Sequence, residues 1–208
     1  MSALLEESHN VPPLASSSTS SQPAPPPPIE SYQLRQVICG IETELLVQTF
    51  DDRVLVVVTQ NGKVGCLTQA SLPAQIPLPP PPPAPAPAST PTPSSLHILS
   101  ILPPPPAALL LTPLLGSPPD TTLHDLYISQ IATLVFFALE SASNNNNGRR
   151  PVVVGLSLKR IGGGGIANQD NGIEDTEGEG GGLSDAERAR YAGIMGLVSQ
   201  WPGPGPSN

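Results

Sequence analysis

Apolar positions along this chain follow two rhythms, separated by long stretches that follow neither. From about Gln33, the residues Leu34, Val37 and Ile38 lead to Cys39-Gly40, and Thr43–Phe50 follows as a second candidate strand. Asp51-Asp52 turns the chain into Arg53–Gln60, where Val54, Leu55, Val56, Val57 and Val58 form an unbroken apolar row. Such a row, mostly β-branched, suits a central strand covered on both faces. Asn61-Gly62 is a strong hairpin signal, because both central positions of a type I′ turn need positive φ. Lys63–Gln69 then returns as a fourth strand, so the N-terminal half predicts a four-stranded antiparallel meander.

Downstream the spacing changes. Ala107–Leu111, ahead of Leu114-Leu115-Gly116, is the better candidate for a fifth strand, with Leu96–Leu102 as the competing one. Asp120 to Ser141 has helical spacing, with Leu123, Leu126, Tyr127, Ile131, Leu134, Val135 and Ala138 on one face and Thr122-x-x-Asp125 as a capping-box match. Pro151–Lys159 carries a buried-strand pattern, Val152-Val153-Val154-Gly155-Leu156. Ser184-x-x-Glu187 is a second capping box, opening a helix through Gln200 whose face is Tyr191, Ile194, Val198 and Trp201. Strands in a run with helices added late predict an α+β fold: a single antiparallel β-sheet of about six strands with two helices packed on it.

Composition explains the stretches without rhythm. The 208 residues include 29 prolines and 19 glycines, yet all seven aromatic residues fall within the patterned blocks 32–75, 107–161 and 184–201. The expected organisation is a disordered Ser/Pro-rich tail over 1–31 and one domain over 32–201. That domain is interrupted by disordered insertions at 73–106 and 162–183, and a disordered tail covers 202–208. The patterned blocks hold enough residues for one core and too few for two.

Charge is distributed the same way. The formal net charge is −8, and its excess lies in the spacers, at Glu6, Glu7, Glu30, Asp170, Glu174, Asp175, Glu177 and Glu179. A formally neutral body lacks the basic footprint that binding a phosphate backbone requires, so nucleic acid is not an expected partner. The first residues, Met1 to Asn10, have no basic n-region of a secretory signal. Unbroken apolar runs stay well short of ~18 residues, so no membrane association is expected and the chain is placed in the cytoplasm, with the nucleus open as a second compartment.

Candidate chemistry is sparse. Cys39 and Cys66 form no C-x-x-C pair and are expected to be reduced, mostly buried thiols. Gly162–Gly165 follows a strand but lacks the Lys-Ser/Thr and the helix of a phosphate loop. His9, His97 and His124 are scattered, without metal-ligand spacing. A Cys66–His124 nucleophile pair has nothing in the sequence to orient its histidine. Glu42 and Glu44 alternate on a strand and are expected to face water together. An enzyme is therefore not expected, and neither is a cofactor or metal. The proline runs Pro25–Pro28 and Pro79–Pro83 have the composition of SH3 or WW ligands, and read more simply as spacers.

Val37-Ile38-Cys39-Gly40-Ile41-Glu42-Thr43, followed by Val54–Thr59-Gln60-Asn61-Gly62-Lys63-Val64-Gly65, resembles the proteasome assembly chaperone 3 family. That family has a V-x-C-G-x-x-T strand pair and then an apolar strand ending in T-Q-x-G-K-x-G. Leu114-Leu115-Gly116 before a helix, the strand Val152–Leu158 with Lys159, and a last helix closing at Trp201 occur in the family's order. The resemblance covers the patterned blocks and none of the spacers. It implies a non-enzymatic chaperone that dimerises with a related chaperone 4-like protein, or with itself. It further implies binding to α-type subunits of the 20S proteasome, guiding α-ring formation, and departure before maturation. Cys39, Gly40, Thr59, Gln60, Gly62, Lys63 and Gly65 are the motif residues, expected to be structural. Tyr191, Ile194, Val198 and Trp201 are the expected partner interface. A small roadblock- or longin-like adaptor of a trafficking or GTPase-regulatory complex is the alternative, although such modules place a helix before their third strand.

Overall fold

Residues 29–80, 94–142, 149–160 and 183–205 are described by a computed structural model. Most of the expected N-terminal tail, the Gly162–Gly165 loop and His9 lie outside the described residues. Strands β1 (Glu30–Ile38), β2 (Ile41–Thr49), β3 (Val54–Thr59) and β4 (Cys66–Ser71) are followed by α1 (Ser94–Ile101). Then come β5 (Leu110–Leu115), α2 (Thr121–Ala142), β6 (Val152–Ser157) and α3 (Asp185–Val198). The six strands form one sheet in the order β1-β2-β3-β6-β4-β5, so the fold is α+β with a single sheet.

Three details of the expected sheet are corrected. The meander has three strands rather than four, because β6 lies between β3 and β4. β6 runs parallel to β3, pairing Val54 with Val152 and Val58 with Leu156, which makes the sheet mixed rather than antiparallel. The physical reason is that β3 and β6 are the most apolar strands, and placing them side by side at the centre buries both. The local hairpin signal at Asn61-Gly62 cannot compete with that long-range gain. The fifth strand is Leu110–Leu115, with Pro113 tolerated because β5 is an edge. Leu96–Leu102, the competing candidate, belongs instead mainly to a third helix, α1.

The three helices among the described residues lie on one side of the sheet. α2 covers β4 and β6, while α3 packs on β1 and beside α2, and α1 packs on α3. The core between the layers takes Leu45 and Val47 from β2, Val54, Val56 and Val58 from β3, and Val152, Val154 and Leu156 from β6. α2 contributes Tyr127, Ile128, Ile131, Val135, Phe136 and Leu139, all buried. Each such side chain contributes about 1.5–3 kcal/mol on removal from water. By length and apolarity α2 could cross a membrane, but much of its surface is buried against the sheet and α3.

Helix starts are set by side-chain caps. Asp120 caps α2, its Oδ1 accepting from the Leu123 N–H at 2.9 Å, so the box expected at Thr122-x-x-Asp125 is two residues too late. Ser184 caps α3 as expected, accepting from the Glu187 N–H at 3.1 Å.

The segment expected as a proline-rich spacer is only partly one. Its described portion includes α1, Leu99 and Leu102 packed on the core, and buried Pro103 and Pro106. The Gln130 side chain donates to the Pro103 carbonyl at 2.9 Å. The C-terminal tail is likewise docked through Gly203, which is buried over Ala138.

Candidate functional site

Cys39 and Gly40 are the central residues of the β1–β2 turn, with φ of 49° and 77° between the paired Ile38 and Ile41. Two consecutive positive φ values across a two-residue loop define a type I′ hairpin. The turn expected at Asn61-Gly62 is therefore found at Cys39-Gly40 instead. Cys39 is exposed there, not buried as expected, and Cys66 is partly exposed.

The segment Thr59–Gly65 carries the chain over the end of β6. Thr59 Oγ1 accepts from the backbone N–H of Asn61 at 3.2 Å and of Lys63 at 3.1 Å. Gln60 ties three strands together. Its N–H donates to the Ser157 carbonyl at 2.8 Å and its Nε2 donates to Thr43 Oγ1 at 3.0 Å. Its Oε1 accepts from the Lys159 N–H at 3.1 Å. Gly62 has φ of 64° at the exposed tip. At Gly65, with φ of 73°, a Cβ would lie 2.1 Å from the Leu156 carbonyl oxygen. These motif residues therefore build the crossover that lets β6 enter the sheet.

The expected partner interface is not free surface. Tyr191, Ile194, Val198 and Trp201 are 0–7% exposed and belong to the chain's own core. Tyr191 meets Tyr127 edge-on at a ring separation of 5.0 Å. Gly193 lets α3 approach Ile38 of β1, and Gly196 faces Ile98 of α1, so both glycines serve packing within the chain. The stripe reads as an interface in sequence because a helix face bound to its own sheet has the same periodicity as one bound to a partner.

Among the described residues, no helix packs on the opposite face of the sheet. Strand register places Leu46, Val57, Gly155 and Leu67 in one row across β2, β3, β6 and β4. Leu55 and Val153 form part of the next row; Leu46, Leu55 and Leu67 are partly exposed, whereas Val57 and Val153 are buried by their neighbours. None of the Leu and Val side chains in these rows belongs to the core under the helices. Val64 and Leu115, 46% and 62% exposed, extend the patch toward the β5 edge. At the β1 end Arg35 pairs with Glu42 at 2.9 Å and also with Glu44, so the two glutamates share a face as expected and share one cation. A shallow depression of about 320 Å³ lies here between Gln33, Arg35, Glu44, Leu46 and Val57. The sequence signal was present in the two-faced apolar runs Leu45-Leu46-Val47 and Val54–Val58, since one helix layer can cover only one face.

A separate cavity of about 550 Å³ opens between the first turns of α2 and α3 and the ends of β4 and β6. One wall is a closed polar cluster. The Tyr127 hydroxyl donates to Glu187 Oε1 at 2.6 Å, and Arg190 holds both Glu187 oxygens at 3.2 and 2.5 Å. Arg190 also donates to the Lys159 carbonyl. Burial pushes the Tyr127 hydroxyl far above the ordinary tyrosine value, with the Glu187 carboxylate adding to it. Burial also pushes Tyr191 up to about 12. At Arg190 burial opposes the charge, but the Glu187 carboxylate outweighs it and holds the guanidinium protonated.

Cys66 and His124 both line this cavity, but no hydrogen bond joins them. His124 Nδ1 lies 3.6 Å from Asp125, and its Nε2 is buried with no partner. The geometry needed to activate a thiol nucleophile is thus not made. Among the described residues, no three His, Cys, Asp or Glu side chains gather closely enough to hold a metal ion. No family model matches this chain, and no curated protein matches it either.

Proposed function

We propose that this chain is a non-enzymatic assembly chaperone of the 20S proteasome, working in the cytoplasm and nucleus. It binds α-type subunits while paired with a related chain of the same fold and leaves before maturation. The resemblance of the Cys39-Gly40 and Thr59–Gly65 segments motivates the reading. The observation that carries it is the apolar sheet face around the partly exposed Leu46, Leu55 and Leu67 and the exposed Leu115, over which no helix packs among the described residues. A sheet with helices on one side only leaves a flat apolar layer that a second such sheet can cover, and the Arg35–Glu42–Glu44 group forms a polar rim at one end. Templating then follows physically: a paired chaperone presents two fixed surfaces to neighbouring subunits, and weak contacts allow its displacement.

The test is affinity purification of the tagged full chain from cells, with mass spectrometry of the eluate and sedimentation of the purified protein. Proteasome α-type subunits and a small related α+β chain are expected. Val64→Glu with Leu115→Glu alters only exposed positions and is expected to release the partner while leaving the fold intact. An eluate of GTPase or vesicle components would instead favour the adaptor alternative, and wild-type protein that sediments as a monomer with no companion would refute the dimer.

A further inference from the structure

A chaperone must let go of its partner, and the loop after β5 carries a group through which that step can be made. β5 ends at Leu115, and Gly116, with φ of 79° and room for no more than its own backbone beside Cys66, turns the chain off the sheet. Ser117 then stands exposed in a short segment, without helix or strand, that runs to Asp120 ahead of α2. Pro118 and Pro119 follow it. A proline disfavours helical backbone in the residue before it, so Ser117 and Pro118 are both biased toward extended backbone, and neither proline has an N–H that needs a partner. An exposed, extended Ser-Pro is the form in which proline-directed protein kinases take a substrate. Thr112-Pro113 has the same pattern but lies within β5, paired with Gln69 and Thr68 of β4, and is presented only if that edge strand peels away.

We propose that Ser117 is a phosphorylation site for a proline-directed kinase and that its phosphate prevents pairing through the apolar face of the sheet. The second half rests on the pairing proposed above. The kinase transfers the γ-phosphoryl group of ATP. The bond from Ser117 Oγ to phosphorus forms as the bond from phosphorus to the β,γ-bridging oxygen breaks. ADP leaves with that electron pair, and the hydroxyl proton passes to the catalytic aspartate of the kinase. Position decides the consequence. Ser117 is two residues past Leu115, so their Cα atoms are at most about 7 Å apart. Leu115 and Val64, 62% and 46% exposed, form this end of the apolar face. A phosphate there brings about −1.5 to −2 charge, which a docking apolar sheet would have to strip of water. Asp120, exposed three residues further on, adds a like charge rather than a counter-ion.

The experiment incubates the purified full chain, with any companion it carries, with a mitogen-activated protein kinase and Mg-ATP. Mass spectrometry then locates the phosphate, and sedimentation before and after treatment follows the pair. Phosphate is expected at Ser117 and not at Thr112, and the modified chain should pair about tenfold more weakly or worse. Ser117→Ala, an exposed change, should stay paired after the same treatment. That control excludes phosphate at Thr90 or Thr92, Thr-Pro sites outside the described residues, as the cause. The Ser117 phosphopeptide is also expected from chain purified from cells under phosphatase inhibition. Modification of Thr112 in preference to Ser117, or no phosphate at Ser117 in either preparation, would overturn the proposal. So would unchanged or tighter pairing of the phosphorylated chain, or equal dissociation of Ser117→Ala. Untreated wild-type chain that is already a monomer without a companion would refute the pairing itself, and the release step with it, before any kinase is added.

Discussion

Gly62 and Gly65 offer a paired test of the crossover that admits β6 to the sheet. Both have left-handed backbone, with φ of 64° and 73°. An alanine at either position pays about 1–2 kcal/mol for that conformation, offset by about 0.4–1 kcal/mol from reduced freedom of the unfolded chain. For Gly62→Ala nothing lies within 4 Å of the new Cβ, so the expected loss is about 1 kcal/mol. For Gly65→Ala the Cβ would sit 2.1 Å from the Leu156 oxygen, 2.7 Å from its carbonyl carbon and 2.8 Å from Ser157 Cβ. The first two are backbone atoms of a central strand and cannot swing aside, so the loop or β6 must move. Overpacking of this kind typically costs a further ~1–3 kcal/mol. Gly65→Ala should therefore lose about 1–3 kcal/mol more than Gly62→Ala. Urea unfolding of the full chain, followed by circular dichroism, measures both against a total stability of roughly 5–15 kcal/mol. Equal losses in the two variants would mean that Gly65 does not pass over the end of β6, and the strand order would then have to be redrawn.

Three further outcomes are expected. Glu187→Gln leaves the buried Arg190 guanidinium without its counter-charge and should cost about 3–5 kcal/mol, whereas Tyr127→Phe removes one hydrogen bond and should cost about 1 kcal/mol; comparable losses would contradict the cluster's geometry. Burial raises the Tyr127 and Tyr191 hydroxyls above the ordinary value of 10.0, so their contribution to stability is fully present below pH 10 and fades as pH rises toward about 12. Urea midpoints that stay flat between pH 9 and 12, roughly the span of these titrations, would contradict that burial. Cys39→Asn should stabilise the chain by a few tenths of a kcal/mol and Cys39→Val should cost about 1–2 kcal/mol, because asparagine accepts left-handed backbone and a β-branched residue does not; thermal melts that rank the two the other way would remove the type I′ turn.

The sequence by itself determined the elements that depend on neighbours along the chain. The row Val54–Val58, the helix face Tyr127–Ile131–Val135 and the Ser184 cap are each specified within a few residues, and all are found where the pattern places them. Segregation of strands and helices was enough for the α+β class. What only the tertiary structure decided is which strand lies beside which. A strand's pattern states that it needs a neighbour and leaves the neighbour unnamed, so Asn61-Gly62 suggested β4 while the apolar match chose β6. α1 was hidden for a related reason: a short apolar run between prolines fits a strand or a helix, and contact with α3 settles it. The same limit applies to the candidate sites. Tyr191, Ile194, Val198 and Trp201 were visible as an apolar stripe, but periodicity does not say what covers it. The cavity around His124, Lys159 and Glu187 joins residues far apart in the chain, and only packing brings them together.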